Sequence, residues 1–248
     1  MAIPKVIHYC WFGQNPLPAQ VRCCIDSWKK YCPDYKIIQW NESNFDVNSI
    51  AYTREAYAAK KWAFVSDYAR LKIVYENGGI YLDTDVELVR SLDPLLHLDG
   101  FMGFQEPSLA ATGLGFGAIR RHPVIYAMMS DYDDLSFFRP DHTMDTTPCP
   151  DRNTACLIRL GLKPDGTYQT VQGLTILPSD YLCPKSYQTG KTVLTENTYS
   201  IHHYQASWLP PNEIRWMKFR QLSGDKIYFF VRRTWSRIKK IFRFFIKA

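Results

Sequence analysis

The sequence lacks several features that would mark a membrane-spanning, secreted or multidomain protein. It has no run of about 18 or more uncharged apolar residues that could span a bilayer. Its start, MAIPKVIHYCWFG, lacks the charged and then apolar layout of a signal peptide. No linker rich in Gly, Ser or Pro and no internal repeat divides the 248 residues. We therefore expect a cytoplasmic protein built around one large core.

Cysteine is present seven times, but never in a CxxC or His/Cys spacing typical of a zinc site. The odd number also gives no framework of paired disulfides, so reduced thiols are expected. Hydrophobic residues make up 46% of the chain and aromatic residues 15%, as in a folded protein.

The net charge of +6 is confined to one end of the chain. Residues 226–248 contain eight Lys or Arg and no acidic residue, which leaves 22 basic against 24 acidic residues in 1–225. A body with a net charge of −2 gives no reason to expect nucleic acid. We therefore predict a folded domain over residues 1–225 and a basic tail over residues 226–248.

The tail has the pattern of an amphipathic helix. At 100° per residue one arc is apolar, formed by Ile227, Phe230, Val231, Trp235, Ile238, Ile241, Phe242 and Phe245, and the other is basic. This pattern predicts peripheral attachment to an anionic membrane surface, which for a chain without a signal peptide means the inner face of the plasma membrane. Docking on the body of the protein or on a partner is the alternative.

The first 90 residues have the pattern of an α/β fold. Lys5 to Trp11 and Lys36 to Trp40 are predicted strands, and residues 18–31 between them are a predicted helix, which together form a parallel βαβ unit. A helical pattern then runs from about Ala51 to Asn77 and ends at Gly78. A short apolar strand, residues 80–82, follows.

Two carboxylates stand directly behind that strand, in the string GGIYLDTD. Asp83 and Asp85 would emerge at the carboxyl end of the strand, where α/β folds bind ligands. Their oxygen atoms suit Mg²⁺ or Mn²⁺ shared with substrate phosphates. The bare pattern is weak evidence, because Asp131-Tyr132-Asp133 also matches it but follows no such strand.

Two other kinds of site also contain closely spaced aspartates. An EF-hand is excluded, because Leu88 and Pro94 stand where that loop needs Gly and Glu. An aspartate-nucleophile phosphatase also opens with an apolar run and DxD, with one Asp as nucleophile and one as acid. Here Val86-Glu87 follows where Gly-Thr is usual, and the phosphatase is kept as an alternative.

A longer string resembles a known family. The spacing S-D-x-x-R-x₇-G-G-x-Y-x-D-x-D, from Ser66 to Asp85, occurs here with IPKVIHYCWFG before it and SIHHYQASW after it. In this order the three motifs resemble DxD glycosyltransferases, which include fungal Golgi mannosyltransferases, α-galactosyltransferases, clostridial glucosylating toxins and bacterial capsule enzymes. The resemblance covers residues 2–210. It implies a GT-A type, Rossmann-like single α/β domain with a central mixed sheet.

The resemblance also implies roles for four residues near the DxD. Asp85 would bind Mn²⁺ or Mg²⁺ directly, and Asp83 would contact the metal, its water or the ribose. Arg70 would reach the donor phosphate or sugar, and Asp67 would accept hydrogen bonds from sugar hydroxyls. The residues alone would also allow Asp67 and Arg70 to form a surface i,i+3 ion pair.

Further donor-site residues are implied in the outer motifs. Trp11 would stack on the base and Tyr81 would face the donor, although either could simply pack. His202 and His203 are candidate metal ligands, of which an extended segment would let one reach the metal, with His202 favoured. Ser207 and Trp208 would cover the diphosphate.

The implied reaction is retaining transfer of a sugar from UDP-hexose or GDP-mannose to a glycan or lipid-linked glycan acceptor. Polysaccharide or capsule synthesis would be its setting. A non-enzymatic membrane adaptor, in which only the tail matters, is a further alternative.

Overall fold

The structure is a computed structural model that describes residues 2–205 and 211–247, with side chains over residues 2–205 and 212–235. Two compact units are found. The first comprises residues 2–184 and 193–205, and the second comprises residues 185–192 and 211–247. The boundary after residue 225, which rests on charge alone, stays a prediction.

The first unit alternates strands and helices along most of its length. Its strands are β1 (Val6–Cys10), β2 (Lys36–Trp40), β3 (Gly79–Tyr81), β4 (Val86–Leu88), β5 (Gly100–Glu106), β6 (Leu109–Ala118), β7 (Gln169–Val171), β8 (Leu174–Leu177) and β9 (Ser200–His202). Its helices are α1 (Ala19–Tyr31), α2 (Ala51–Ala58), α3 (Trp62–Asn77), α4 (Pro123–Ser130), α5 (Cys149–Arg159) and α6 (Ser179–Leu182).

A seven-stranded mixed sheet forms the centre of this unit, in the order β2-β1-β3-β6-β5-β8-β7. Strands β2, β1 and β3 are parallel, whereas β6 runs antiparallel to both of its neighbours, β3 and β5. The predicted α/β class with a central mixed sheet is confirmed.

The predicted βαβ unit is confirmed at the edge of the sheet. Strands β1 and β2 pair in parallel register, with Ile7 opposite Ile37. Helix α1 buries the residues that helical spacing had marked, Val21, Ile25 and Trp28. The Trp28 indole also donates to the Val86 carbonyl at 2.8 Å, which ties α1 to the strand behind the DxD.

The helical pattern over residues 51–77 is two helices rather than one. Helix α2 ends at Ala58, and the Lys61 amide donates to the Ala56 carbonyl while the Lys60 amide donates to Tyr57. These are the two bonds of a Schellman motif, with Lys60 in the left-handed position at φ 57°. The sequence concealed this stop, because the position is usually glycine.

The Gly78-Gly79 turn is required by close backbone contact. Gly79 has φ 100°, and a Cβ there would lie 2.9 Å from the Val6 carbonyl oxygen and 3.0 Å from His8 Nε2. Buried His8 accepts from the Trp40 indole through Nδ1 at 3.1 Å, so its Nε2 carries the proton donated to the Gly78 carbonyl at 3.0 Å. Burial lowers the pKa of His8, in keeping with a neutral ring.

A separate two-stranded sheet joins distant parts of the chain. Strand β4, directly behind Asp85, pairs antiparallel with β9, and Val86 lies opposite His202. The His203 amide donates to the Asp85 carbonyl at 2.9 Å, which extends the pairing by one residue. This ladder carries the histidines of the third motif to the DxD.

The second unit contains helix α7 (Pro211–Lys247), which is interrupted at Gly224 with φ 75° and ψ 165°. Glu213 pairs with Arg232 at 3.1 Å, and the Trp216 and Tyr228 ring centroids lie 6.1 Å apart. In a continuous helix, residues 213 and 232 would be about 28 Å apart, so the chain reverses at Gly224. In the described part of the chain, no helix combines the length and apolar character that a membrane span requires.

Candidate active site

The carboxyl ends of β1 and β3 lie side by side at one edge of the sheet. The Leu82 amide donates to the His8 carbonyl at 3.0 Å, which continues the parallel pairing one residue beyond β3. Asp83 and Asp85 follow directly after this point, and Trp11 follows β1 at the same edge. The DxD therefore lies where parallel strands of α/β folds present ligand-binding side chains.

Arg70 contacts two other residues of the predicted site, Asp67 and Asp83. From helix α3 its Nη2 contacts Asp67 Oδ1 at 3.0 Å and Asp83 Oδ1 at 3.3 Å, and its Nη1 contacts Asp83 Oδ2 at 3.4 Å. Its Nε donates to the Ser66 carbonyl at 3.0 Å. The Arg70 side chain is only 5% exposed, so this is a buried charge with two carboxylate partners rather than a surface ion pair.

Tyr81 contacts Asp83, the first aspartate of the motif. Its hydroxyl donates to Asp83 Oδ1 at 2.9 Å, and the Arg70 guanidinium lies 5.0 Å from its ring centroid. The Tyr81 side chain therefore orients Asp83 and packs against Arg70.

Asp85 is paired with the third motif instead. Its Oδ1 lies 3.2 Å from His202 Nε2, and its Oδ2 accepts from the Gln205 amide at 2.9 Å. Both side chains of the Asp85–His202 pair are 13% exposed. The two aspartates, separated by one residue, thus have different surroundings: Asp83 faces arginine and tyrosine, and Asp85 faces histidine and backbone.

The surroundings shift the ionisation of each group. Burial raises the pKa of Asp67 to about 6, although Arg70 opposes the rise. Burial also raises the pKa of Asp83, with Arg70 opposing and Asp85 adding to the rise. Burial alone would raise the pKa of Asp85, but the His202 charge and hydrogen bonds from His202 and the Gln205 amide lower it to about 2. Burial would lower the pKa of His202, but the Asp85 carboxylate outweighs burial and raises it.

Three side chains form a candidate cation site. One carboxylate oxygen each from Asp83 and Asp85 and one ring nitrogen of His202 lie within 4.8 Å of one another. Two carboxylates and one imidazole are a donor set that a divalent metal ion fits. His202 Nδ1 is buried and has no hydrogen-bond partner among the described residues.

Strand β6 approaches Asp83 and Arg70 at Gly113, which has no side chain. A Cβ at Gly113 would lie 2.7 Å from Asp83 Oδ2 and 3.2 Å from Arg70 Nη1. Gly113 lies outside the three sequence motifs and was not a predicted site residue. The signal that could have identified it is that a glycine within a strand often marks a close approach of another group to the backbone.

The remaining predicted site residues either are not among the three candidate ligands or fall outside the residues that the structure describes. His203 is directed to Glu87, with Nε2 and Oε2 2.8 Å apart, and is not among the three candidate ligands. The Trp11 indole donates to the Asn15 carbonyl at 2.6 Å. Ser207 and Trp208 lie outside the described residues.

The second DxD of the chain serves as an internal comparison. Asp131 is paired with Arg159 at 2.5 Å, and Asp133 is exposed. Asp131 and Asp133 are not part of any candidate metal cluster found among the described residues. The sheet edge, and not the bare pattern, distinguishes Asp83 and Asp85.

Comparison with known families agrees with this geometry. A family described as "Glycosyltransferase sugar-binding region containing DXD motif" matches residues 18–101, which include Asp67, Arg70, Asp83 and Asp85. This part of the chain is similar to the DXD-containing sugar-binding region of glycosyltransferases. The predicted resemblance is confirmed over these residues, which lie in the mixed-sheet α/β unit.

Two relatives of the chain, one from a fungus and one from a virus, show the extent of the similarity. Inositol phosphoceramide mannosyltransferase 3 of Schizosaccharomyces pombe is 30% identical over 144 residues, which are 55% of this chain and 39% of that protein. An uncharacterized glycosyltransferase of Acanthamoeba polyphaga mimivirus is 25% identical over 219 residues, or 84% of each protein. The chain spans well under half the length of the fungal relative. Among solved structures, PaToxG glycosyltransferase has a TM-score of 0.48 and 20% identity over 64% of this chain and 70% of that one.

Proposed function

We propose that the chain is a hexosyltransferase that moves a sugar from a nucleotide-sugar donor to a glycan acceptor. Asp83, Asp85 and His202 would hold the divalent cation that the reaction uses. The observation that carries the proposal is the proximity of these three side chains within 4.8 Å at the sheet edge, with two of them inside the matched DXD region.

The protein's own residues support the cation in distinct ways. A bound divalent ion would act as a Lewis acid on the diphosphate as it leaves. Asp85, with a pKa of about 2, stays ionised at physiological pH and offers a full negative charge. Asp83 is oriented by Tyr81 and Arg70. The oxygen ligands suit Mn²⁺ and Mg²⁺ alike, and the imidazole nitrogen makes Mn²⁺ the better fit.

Arg70 and Asp67 would act on the donor itself. The positive charge of Arg70, fixed by a buried network with Asp67 and Asp83, would stabilise the negative charge that develops on the leaving diphosphate. Asp67 would accept hydrogen bonds from sugar hydroxyls. Catalysis would then come mainly from positioning and from electrostatic stabilisation of the leaving group.

The finer features of the reaction are part of the same proposal. We expect UDP-hexose or GDP-mannose as donor, retention at the anomeric carbon and a lipid-linked glycan acceptor in polysaccharide or capsule synthesis. The name of the Schizosaccharomyces pombe relative, a mannosyltransferase of inositol phosphoceramide, supports mannose and a lipid-linked acceptor. Trp11 would stack on the base, and Tyr81 would face the donor. Ser207 and Trp208 would cover the diphosphate.

Metal-dependent turnover of the donor tests the proposal. UDP-glucose, UDP-galactose and GDP-mannose are each incubated with the protein and Mn²⁺ or Mg²⁺, and release of the nucleoside diphosphate is measured. We expect turnover of one donor, its loss with EDTA, and a fall of at least about 100-fold in Asp85→Asn because leaving-group stabilisation is lost.

The second DxD provides the matched control. Asp133→Asn removes the same charge from an exposed Asp-x-Asp and should leave turnover unchanged. Turnover that persists in EDTA and in Asp85→Asn would contradict the proposal. Phosphate release from p-nitrophenyl phosphate without any donor turnover would support the phosphatase instead.

The proposal extends to a membrane surface. In helix α7 the side chains of Ile227, Phe229, Phe230 and Trp235 are each about half or more exposed, in a segment that contains eight basic residues and no acid. Exposed bulky apolar residues beside Lys and Arg favour peripheral binding to anionic lipid. The location would be cytoplasmic, at the inner face of the plasma membrane.

A further inference from the structure

The loop of residues 11–15, which follows β1 at the carboxyl edge of the sheet, holds Trp11 through both its backbone and its side chain. The Trp11 amide donates to the Trp40 carbonyl at 2.8 Å, which continues the pairing of β1 with β2 one residue beyond β1. The Trp11 indole donates to the Asn15 carbonyl at 2.6 Å. The position of the indole therefore depends on the conformation of this loop.

Glu42, which follows β2, reaches the middle of the loop. Its Oε1 accepts from the Gly13 amide at 2.7 Å and from the Tyr57 hydroxyl of α2 at 3.0 Å. Burial would raise the pKa of Glu42, but hydrogen bonds from Gly13 and Tyr57 lower it, so the acceptor is a carboxylate at neutral pH. Hydrogen bonds to an ionised acceptor are about twice as strong as those between neutral groups. The Glu42 carboxylate thus ties the loop to α2.

Gly13 is also packed closely against Trp62, the first residue of α3. Its φ is 90°, and a Cβ at Gly13 would lie 2.6 Å from the Cε2 and Nε1 atoms of Trp62. The Trp62 ring in turn packs on Tyr57, with ring centroids 4.9 Å apart. A hydrogen bond to Glu42 and close packing on Trp62 therefore fix the loop two residues from Trp11.

We propose that Glu42 is a positioning residue that sets the Trp11 indole for stacking on the nucleotide base of the donor. Glu42 acts through the Gly13 amide and not on the cation or the diphosphate. The inference rests on the proposed function, because it assumes that a nucleotide binds and that Trp11 stacks on its base. Glu42 would affect binding of the nucleoside half of the donor and leave the diphosphate half, held by Asp85 and the cation, unchanged.

Calorimetry can separate these two halves. The wild-type protein with Mg²⁺ is titrated with UDP, with GDP and with inorganic diphosphate, which has no base. The measured quantity is the ratio of the affinity for the better nucleoside diphosphate to the affinity for inorganic diphosphate. Stacking of a base on an aromatic ring is worth on the order of 10-fold to 100-fold in affinity, so partial displacement of the ring in Glu42→Ala should lower this ratio roughly fivefold to tenfold. The affinity for inorganic diphosphate should not change.

Two variants test the hydrogen bonds of Glu42. Glu42→Gln keeps an oxygen that can accept from the Gly13 amide, and it should retain most of the ratio. Tyr57→Phe removes only the hydroxyl that donates to Glu42, and it should lower the ratio roughly twofold to threefold. Because Tyr57→Phe leaves the carboxylate in place, it tests the inference even if Glu42→Ala does not fold.

A double variant tests whether Glu42 acts through Trp11. Trp11→Ala removes the ring and should itself lower the ratio. If Glu42 positions that ring, adding Glu42→Ala to Trp11→Ala should lower the ratio no further. A merely structural role for Glu42 would leave the two effects additive, and additive effects would overturn the inference.

Glu55→Ala is the matched control. Glu55 of α2 also fastens a loop, because its Oε2 accepts from the Ser136 hydroxyl at 2.6 Å and from the Phe138 amide at 3.1 Å. That loop does not contain Trp11, so the ratio should stay unchanged. An equal fall in Glu55→Ala would overturn the inference, since a general loosening of the chain would then explain the effect.

The remaining outcomes separate the inference from the proposed function. If the wild-type protein with Mg²⁺ binds neither nucleoside diphosphate, the proposed function fails and the inference fails with it. If nucleoside diphosphates bind but the ratio is unmoved in Glu42→Ala, or in Tyr57→Phe where Glu42→Ala does not fold, the inference alone is overturned. A ratio as low in Glu42→Gln as in Glu42→Ala would also overturn it, because the charge and not the hydrogen bond to Gly13 would then matter.

Discussion

Replacing Gly113 by alanine tests whether the close approach of β6 sets the position of Asp83. The added Cβ would lie 2.7 Å from Asp83 Oδ2, where ordinary contacts begin at 3.4 Å, so the carboxylate must move by about 0.7 Å. Arg70 Nη1, at 3.2 Å from the same point, must give way as well. The perturbation therefore falls on two functional side chains and on no apolar core residue.

The size of the effect follows from that displacement. A misplacement of about 1 Å at a reacting centre can cost on the order of 100-fold in rate, so Gly113→Ala should lower kcat/KM by roughly 10-fold to 100-fold. Overpacking a tight site typically costs about 1 to 3 kcal/mol, and the free energy of unfolding should fall by no more than that. Affinity for Mn²⁺ should weaken, because Asp83 is a candidate ligand.

Gly103→Ala is the matched control. Gly103 lies in the neighbouring strand β5, and a Cβ there would meet only the flexible Leu182 side chain, at 3.1 to 3.4 Å. Initial rates with the best donor, Mn²⁺ titration and thermal unfolding are measured for both variants. Full activity and Mn²⁺ affinity in a folded Gly113→Ala protein would refute the reasoning. An equal loss in Gly103→Ala would refute it as well.

Three further predictions concern other parts of the chain. Mn²⁺ affinity should rise with pH as His202 loses its proton, and His202→Gln should flatten this dependence in a binding titration. Without metal, the free energy of unfolding should depend on pH in the opposite direction. Because Asp85 raises the pKa of His202 above 6.5, the pairing of the two side chains stabilises the fold below pH 6.5, and this stability is lost as the pH rises through the raised pKa. Lys60→Gly should raise the free energy of unfolding by about 0.5 kcal/mol in urea titrations, because relief of left-handed strain exceeds the entropic cost of glycine. Phe230→Asp should weaken co-sedimentation with anionic vesicles. Leu222→Asp should not, because Leu222, which is even more exposed and in the same unit, lies outside residues 226–248.

The parts of the site that lie close together in sequence could be predicted from the chain alone. Asp67 and Arg70 lie one helical turn apart on α3, and the Gly-Gly turn sends β3 back along the sheet towards the same edge. Helical spacing was sufficient to place Asp67 and Arg70 on one face, whereas a place for Arg70 beside the DxD was implied only by the family resemblance.

Other parts depend on contacts that no local pattern encodes. His202 reaches Asp85 only because β4 and β9 pair across more than a hundred residues, and three-residue strands are too short to be recognised by their periodicity. The helix stop at Lys60 was missed because a lysine there carries none of the usual stop signals.

The pairing of β4 with β9 means that the three candidate ligands of the cation lie together only in the fully folded chain. Asp83 and Asp85 follow the short strand β3, whereas His202, the third candidate ligand, is held next to them by the pairing of β9 with β4. An ion that needs all three would bind the closed chain and not a partly folded one. Its free energy of binding would then stabilise only the finished structure, and the cation would act as a folding ligand as well as a reagent.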